Sequence, residues 1–377
     1  MRIAVDATPL LGTRTGVGTY VHHLVEALGA LGPGEDLSVC LTAFTWRGQQ
    51  VLSQVAPPGT VVASRRAPAR VLQATWQRSS LPPVEWLSGP VDVFHGTNFV
   101  LPPRRRAAGV LTVHDLAFRH LPGLVTAASR RYVTLVAAAL ARPDTVVVTP
   151  SVTVAGEVAE TYRLPPHRVL ATPLGVAEPW FHAVPRQAGL PGLPDQYVLF
   201  VGTREPRKNL PALLAAHATW RRADATALPL VVAGPAGWDD TVLPGPDEGV
   251  YAAGYLDGDR LRGVVAGAAC LAFPSRYEGF GLPALEAFAC GVPVVAADLP
   301  VLRETTGGLA RYVDPANRDA FAAALAGAAA EDRGGPGPQA RRTHARAFTW
   351  ERCARRTLQA YRSALALRAA ERAGRRR

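Results

Sequence analysis

Short apolar runs alternate with longer stretches of helical periodicity along most of this chain, in two consecutive series. Such alternation is typical of βα units, which build parallel sheets covered by helices on both faces. In the first series we predict helices over 19–31, 129–141 and 152–162, and strands over 2–5, 37–42, 61–63, 91–95, 110–113 and 145–149. The first half of the chain is therefore predicted to be one doubly wound α/β domain.

A stretch rich in proline and glycine, 179–194, interrupts the alternation, which then resumes. The second series predicts helices over 210–221, 260–268 and 283–290, and strands over 197–201, 229–233, 250–253, 270–274 and 292–296. A chain of 377 residues suits about two domains. We therefore predict doubly wound domains over 1–185 and 186–345. In such proteins ligands bind at the carboxyl ends of the strands, in the cleft between the domains.

The last segment, 346–377, combines a helix with a basic tail. Apolar residues recur at helical spacing from Trp350 to Leu365, and this stripe needs a surface to cover. We predict that the helix returns to the first domain.

The chain is strongly basic, with a net charge of +11 and a pI near 10.1. This charge indicates a polyanionic partner: nucleic acid, an anionic membrane surface or a phosphorylated small molecule. Charge alone does not choose among them. The arginine clusters come with no zinc-finger, RNA-binding or basic-zipper pattern, so nucleic acid is disfavoured.

The four cysteines lie far apart in mostly apolar surroundings, as expected of buried thiols in a reducing compartment. The N-terminal apolar run is interrupted by Asp6 too early for a signal peptide, and uncharged apolar runs fall short of about 18 residues. We expect a cytoplasmic protein. Peripheral contact with the inner face of the membrane stays open, because first-domain arginines are available to meet anionic lipid.

Lys208 is the single lysine among 41 basic residues. It lies in the run from Gly202 to Asn209, just after a predicted strand. An ammonium is a compact point charge that suits one phosphate oxygen, whereas a guanidinium is a planar fork. Survival by chance in a composition biased towards arginine is the alternative.

Two glutamates stand at a strand-to-helix junction further along. Glu278 is predicted on the loop and Glu286 on the first turn of a helix whose first position is Pro283. The loop amides and the helix N-terminus would form an anion site, contributed by Gly279, Phe280 and Gly281. The carboxylates alone are explained as well by a helix dipole or by surface placement. Within Gly-x-Gly-x-Pro after a strand, we favour a ligand site.

This E-x7-E pattern, preceded by Gly-Thr-x-Glu-Pro-Arg-Lys-Asn, closely resembles the retaining glycosyltransferases of family four. The resemblance covers nearly the whole chain and continues in Gly16-Val17-Gly18, Asp92 to His95, Thr112 to Leu116, Thr149-Pro-Ser151, Ala233-Gly234, Gly254-Tyr255 and Asp314-Pro315. It implies the GT-B fold: two Rossmann-like domains facing across a cleft, with a C-terminal helix crossing back to the first.

The resemblance also implies roles for residues. Lys208 and either Arg204 or Arg207 would hold the diphosphate of a nucleotide sugar, Glu286 the ribose hydroxyls, and Glu278 the transferred sugar together with the loop amides. Gly16, Val17 and Gly18 would let first-domain backbone approach the diphosphate, and Asn209, Tyr255 and Leu282 complete the donor side. Glu278, His114 and Lys208 are the expected catalytic residues.

On the acceptor side the candidates are His95, Asn98 and Asp115. His114 and Asp115 follow a predicted strand, where either a substrate role or a helix-entry cap fits. His95 also ends a strand and is explained equally well as a satisfied core histidine.

We expect neither a bound metal nor a cofactor beyond the donor substrate. Asp257-Gly-Asp259 spells a D-x-D, but it precedes a helix and reads better as an N-cap. The expected reaction is a front-side displacement in which the leaving phosphate takes the acceptor proton. The family members that this chain most resembles in its short motifs transfer mannose or related hexoses into bacterial polysaccharides. The acceptor stays open between a saccharide, a lipid-linked oligosaccharide and a natural product. The alternatives are a GT-B sugar phosphorylase or epimerase, and a non-catalytic nucleic-acid-binding protein.

Overall fold

The computed structural model describes residues 1–12, 15–46, 49–63, 65, 68–76, 79, 81–185 and 192–374. The chain divides into two compact units. Unit 1 comprises Met1–Arg119, Ala127–Gly175 and Thr349–Arg377, and unit 2 comprises His120–Thr126 and Val176–Phe348. The main change of unit therefore falls at Gly175, whereas the sequence placed it at residue 185.

Unit 1 contains a parallel sheet with strand order β3-β2-β1-β4-β5-β6-β7. Ile3 on β1 is level with Val39 of β2 on one side and Val93 of β4 on the other. The direction of strand addition reverses between β1 and β4, and this switch point is where open α/β sheets bind ligands. The strands are β1 Arg2–Asp6, β2 Ser38–Thr42, β3 Thr60–Val62, β4 Val93–Gly96, β5 Ala108–Thr112, β6 Thr145–Thr149 and β7 Val169–Ala171.

Unit 2 contains a second parallel sheet, with order β10-β9-β8-β11-β12-β13. Three of its inner strands, β9, β11 and β12, are buried along their whole length, as expected when helices cover both faces. The switch point lies between β8 and β11, which are adjacent. The strands are β8 Val198–Val201, β9 Leu230–Ala233, β10 Val250–Gly254, β11 Cys270–Phe273, β12 Val294–Ala297 and β13 Arg311–Val313.

The helices fill the intervals between strands. They are α1 Gly16–Glu35, α2 Gln49–Val55, α3 Ala69–Trp76, α4 Glu85–Ser88, α5 Ala117–His120, α6 Ala127–Arg130, α7 Tyr132–Leu140, α8 Val152–Tyr162, α9 Leu210–Ala223, α10 Gly258–Gly267, α11 Leu282–Ala289, α12 Pro300–Thr306, α13 Arg318–Ala329, α14 Pro336–Arg346 and α15 Trp350–Gly374. In unit 2, α9 and α13 pack together over one face of the sheet. In unit 1, α15 packs on α1, β5 and β6.

These elements confirm the predicted α/β architecture of two Rossmann-like sheets. The helix expected over 129–141 is divided into α6 and α7. The sequence did not predict the strands β7 and β13, which are short and lie at sheet edges, where the apolar signal is weak. It also missed seven helices: α2, α3, α4, α5, α12, α13 and α14. No helix among the described residues is both long and apolar enough to span a membrane.

Candidate functional site

A salt bridge joins the loops that leave β8 and β11. Lys208 ends a 3-10 turn, Pro206–Lys208, and its Nζ donates to Glu278 Oε1 at 2.6 Å. Arg207 Nη1 lies 3.3 Å from the other carboxylate oxygen. Because β8 and β11 are neighbours at the switch point, the two basic side chains and the glutamate meet at the carboxyl edge of the sheet.

Glu278 is a buried carboxylate that is ionised at neutral pH. Its side chain is 8% exposed and that of Lys208 13%. Burial by itself raises the pKa of Glu278, but the charges of Lys208 and Arg207 outweigh it and bring the pKa to about 2. At neutral pH this residue accepts hydrogen bonds and has no proton to give.

The structure distinguishes the two arginines that the sequence left open. Arg207 is committed: it pairs with Glu205 at 2.5 Å and donates to the Tyr277 carbonyl at 2.7 Å, besides its contact with Glu278. The guanidinium of Arg204, which is half-buried, makes no hydrogen bond or ion pair with any described residue. The guanidinium N–H groups of Arg204 are therefore available to donate hydrogen bonds to a ligand.

Asn209 fastens the two loops together. It adopts the left-handed conformation at the N-cap of α9, with φ +56°, and its side chain is buried. Its Nδ2 donates to the Pro274 carbonyl at 3.2 Å, and its Oδ1 accepts from Arg276. The side-chain amide that was expected on the donor side thus has internal partners.

The loop that carries Gly279, Phe280 and Gly281 leads directly into α11. Gly281 sits at the N-cap with φ +100°, and a Cβ there would lie 2.7 Å from a methyl of Leu302, so both backbone and packing require glycine. The Phe280 and Gly281 amides donate to no acceptor within the described part of the chain. Together with the helix beginning at Leu282, they offer donors to an anion.

The prediction that Glu286 lies on the first turn of its helix is wrong. The helix begins at Leu282 with Pro283 second, so Glu286 is one turn further in. Its half-buried carboxyl makes no hydrogen bond or ion pair with the residues the structure describes. Burial raises its pKa to about 8, despite the opposing charge of Arg262. A neutral carboxyl both donates and accepts hydrogen bonds.

The D-x-D lies at the start of α10, as expected, but the predicted capping bond is absent. Asp257 occupies the N-cap position in extended conformation without a side-chain hydrogen bond to the helix, and Asp259 pairs with Arg262. Tyr255, just after β10, is 44% exposed. Among described residues, the one cluster with metal-ligand spacing is elsewhere, at His22, His23 and Glu26 on α1.

In unit 1, Gly16, Val17 and Gly18 form the first turn of α1 and not a loop before it. A Cβ at Gly16 would meet nothing within 4 Å, so space does not require glycine there.

His114 lies beyond the carboxyl end of β5. Its Nε2 is 2.9 Å from the Thr97 carbonyl, and the rings of Tyr20 and Phe99 pack against it edge-on. Burial lowers its pKa, although the charge of Asp115 opposes this. Asp115 accepts the Ala117 amide at 2.9 Å, which is the helix-entry role.

His95 is a core residue, which corrects its assignment to the acceptor side. It has no solvent exposure, and both ring nitrogens are used, by Tyr361 at 2.9 Å and Thr112 at 2.7 Å. Burial lowers its pKa to about 3. Asn98, by contrast, is half-buried, and its side chain makes no hydrogen bond with a described residue.

Sequence reasoning did not single out two buried carboxylates, Glu205 and Asp6. Glu205 lies inside the recognised motif run, so its partnership with Arg207 was open to prediction. Asp6 ends the apolar strand β1 at the carboxyl edge of its sheet, which was the available signal.

Comparison with known proteins assigns the family. The model of "Glycosyl transferases group 1" matches residues 195–331. "O-antigen chain mannosyltransferase B" of Escherichia coli is 30% identical over 96% of this chain and 99% of its own length. This chain belongs to the group 1 glycosyl transferases. The "MMP alpha-(1->4)-mannosyltransferase" of Mycolicibacterium hassiacum is also 30% identical, over 56% of this chain and 52% of its own.

Solved structures agree on the fold of this glycosyltransferase. The sucrose-phosphate synthase of Thermosynechococcus elongatus matches 96% of the chain and 98% of its own with a TM-score of 0.69 and 22% identity. WaaG, a glycosyltransferase involved in lipopolysaccharide biosynthesis, matches 92% of the chain and 95% of its own with a TM-score of 0.63 and 15% identity. The fold is GT-B, and the protein is a hexose-transferring enzyme.

Proposed function

We propose that this glycosyltransferase moves a mannosyl residue from a nucleoside diphosphate sugar to a saccharide acceptor, with retention of configuration and without a metal or other cofactor. The convergence of Lys208 and Arg207 on an ionised Glu278, in front of the α11 N-terminus, is the observation that carries the proposal. Relatives whose names specify mannose transfer support the choice of hexose.

Lys208 and Arg204 hold the diphosphate in this proposal, together with the amides of Phe280 and Gly281. Arg204 is chosen over Arg207 because Arg207 already neutralises Glu205 and Glu278. Fixed cations and helix amides stabilise charge that develops on a leaving diphosphate, as a metal ion does elsewhere.

The two glutamates serve different hydroxyl groups because their environments separate their pKa values. Glu278, with a pKa of about 2, accepts hydrogen bonds from the transferred sugar. Glu286, with a pKa of about 8, is neutral at pH 7 and both donates to and accepts from the ribose hydroxyls.

This separation also bears on mechanism. A glycosidase needs one carboxylic acid to protonate the leaving group. In the proposal Glu278 binds hydroxyls of the transferred sugar and Glu286 the ribose, so neither carboxyl group attacks the anomeric carbon or protonates the leaving group. The acceptor oxygen forms the new bond to the anomeric carbon on the face from which the phosphate leaves. The acceptor proton passes to the departing phosphate oxygen. Lys208 is the single lysine of the chain and is assigned to the diphosphate, so it is not the Schiff-base lysine of a pyridoxal phosphorylase.

A lipid-linked acceptor is the version of the proposal that involves a membrane. Exposed apolar side chains of unit 1 include Trp46, Leu81 and Trp86, and the guanidinium of Arg65 lies 5.5 Å over the Trp86 ring. Tryptophan and arginine together suit the interface of an anionic bilayer. Sedimentation with vesicles of phosphatidylglycerol tests this, and absence of binding at low salt would remove the membrane version while leaving transfer to soluble saccharides.

The decisive experiment is a donor panel. Purified protein is incubated in EDTA with GDP-, UDP-, ADP- and dTDP-hexoses and with neutral saccharides, and the product is analysed by proton NMR at the anomeric position. We expect transfer from GDP-mannose with retained configuration. Inverted product, a requirement for added Mg²⁺, or inactivity with every donor would each contradict the corresponding part.

A further inference from the structure

Asp6 is a buried carboxylate that the proposed reaction does not use. It ends β1 at the carboxyl edge of the unit 1 sheet, where it is 4% exposed. Its Oδ1 accepts two hydrogen bonds from Thr8, at 3.0 Å from the amide and 2.6 Å from the hydroxyl. Its Oδ2 accepts none from any residue the structure describes. One carboxylate oxygen thus stabilises the turn at Thr8, and the other is available to accept a hydrogen bond from a ligand.

The loop after β4 brings polar groups to the same place. Thr97 donates its hydroxyl to the Asp6 carbonyl at 2.6 Å, while its own carbonyl lies 2.9 Å from His114 Nε2. A Cβ at Gly96 would lie 2.0 Å from the Val100 carbonyl, so this tight loop requires glycine. Asn98, whose amide has no partner in the described chain, stands next to Thr97. Asp6, Asn98 and His114 therefore share one edge of β1, β4 and β5.

An aromatic wall adjoins these groups. The rings of Tyr132 and Phe99 are stacked with centroids 4.7 Å apart, and Phe99 packs edge-on against His114. Tyr132 is half-buried, and burial raises its pKa; Arg131 opposes this through its charge and a hydrogen bond, and the charge of Asp6 adds a smaller rise. The aromatic pair and the carboxylate are thus within electrostatic reach of one another.

A carboxylate oxygen, an amide and a half-open aromatic ring together match the surface of a pyranose. The ring hydroxyls are hydrogen-bond donors, and a charged acceptor makes the stronger bond. The C–H faces of the sugar pack on an aromatic ring, which has an apolar body. A phosphate would be repelled by the carboxylate, so the matching ligand is a neutral sugar.

We propose that Asp6, Asn98 and Tyr132 form the subsite for the acceptor, in which Asp6 Oδ2 accepts a hydrogen bond from a hydroxyl of a neutral pyranose. The subsite rests on the proposed glycosyl transfer. It assigns the recognised part of the acceptor to an uncharged sugar ring, whether that sugar is free or attached to a lipid.

The test is Asp6→Asn, which separates recognition from folding. The asparagine Oδ1 still accepts both bonds from Thr8, so the turn is kept while the charge and the second acceptor are lost. We expect the KM for the best neutral acceptor in a panel of methyl hexopyranosides and mannobiose to rise about tenfold or more. The donor KM is expected to change less than about twofold.

Two companion variants control for structure. Asp36→Asn, at a fully exposed carboxylate of the same unit, is expected to leave the acceptor KM unchanged. Thr8→Val removes one bond to Asp6 Oδ1 but leaves Oδ2 intact; it is expected to lower Tm with little effect on the acceptor KM. Tyr132→Ala is expected to raise the acceptor KM more than Tyr132→Phe, because only the former loses the ring.

The outcomes separate the two levels of the proposal. An active wild type, with the acceptor KM unchanged in Asp6→Asn, overturns the subsite and leaves the transfer intact. If Thr8→Val raises the acceptor KM as much as Asp6→Asn does, Asp6 acts only through the turn and the subsite is again rejected. A wild type that transfers from no donor to any saccharide refutes the proposed function and the subsite with it.

Discussion

The carboxyl edges of the two sheets carry different kinds of side chain. In unit 2 the edge is ionic: Lys208 and Arg207 close on Glu278, and Glu205 balances Arg207. In unit 1 it is aromatic: Tyr20 and Phe99 pack against His114, whose pKa is lowered by burial, and Tyr132 stacks on Phe99. The same topology thus offers one edge suited to a diphosphate and another suited to an uncharged sugar.

Burial has different consequences for carboxyl groups at the two edges. At Glu278 two cations overcome the cost of burial and hold the pKa near 2. At Asp6 no cation does so, and burial raises the pKa to about 6 although Thr8 opposes it. The difference teaches that position at a strand end does not set the charge of a carboxyl group; the neighbouring loop does.

The largest expected effect comes from breaking the ionic edge. Lys208→Ala removes one preorganised cation and is expected to lower kcat about a hundredfold. Lys208→Arg should restore only part of this, because a planar fork replaces a point charge. Steady-state kinetics with the preferred donor measure both. The matched control is Arg303→Ala, which breaks an exposed ion pair with Asp298 at another strand end and should change kcat less than about twofold.

An active Lys208→Ala enzyme with unchanged donor kinetics would refute the role of the ionic edge. Because Glu278 loses its partner in this variant, Tm is measured alongside. A fall in Tm with intact kcat would mean that the pair stabilises the fold and does not act on the donor.

The next prediction concerns the aromatic edge of unit 1. His95→Leu leaves the Tyr361 hydroxyl without its partner in the core and is expected to cost about 1–3 kcal/mol of unfolding free energy. Because the imidazole has no solvent exposure, both KM values should change less than about twofold. Urea unfolding and steady-state kinetics check this. A rise in the acceptor KM at unchanged stability would return His95 to the acceptor side.

Lys208 and His95 show what could and could not be predicted from the sequence. The run from Gly202 to Asn209 and the E-x7-E pattern follow neighbouring strands of a parallel sheet, so the meeting of Lys208 with Glu278 follows from local pattern and topology. The state of His95 depends on Tyr361, 266 residues further along. Nothing near His95 in the sequence indicates that α15 covers it.

Asp6 illustrates the same limit at a candidate site. Its strand was predicted, but its surroundings come from Thr97, 91 residues away, and from the stacked rings beyond. The helix start at Leu282 was missed by one residue, and this moved Glu286 off the first turn. The type and order of the main strands and of about half of the helices were thus predictable from the sequence, whereas burial and exact helix phase were set by long-range packing.

A smaller effect is expected from the pH dependence of stability. The folded pKa of Glu286, about 8, lies above the usual 4.5, so the folded state holds this proton more tightly. Its contribution is fully present below pH 4.5 and is lost as the pH rises towards 8. Glu286→Gln abolishes this loss. The Tm of the wild type minus that of the variant should therefore fall steadily between pH 5 and pH 9 in calorimetry; a constant difference would show that Glu286 is ionised in the folded state.

The smallest expected effect comes from replacing the two aspartates of the D-x-D, Asp257 and Asp259. If these residues held a metal ion, the leaving diphosphate would depend on that ion. Asp259 is exposed and pairs with Arg262, and Asp257 makes no side-chain bond to its helix. The double variant Asp257→Asn/Asp259→Asn should therefore keep kcat and donor KM within about twofold, since exposed pairs contribute little. Its activity should be equal in EDTA and in Mn²⁺. If the variant lost activity that Mn²⁺ supports in the wild type, the leaving diphosphate would depend on a metal, and Lys208 with its neighbouring arginines would not suffice to make the ionic edge a diphosphate site.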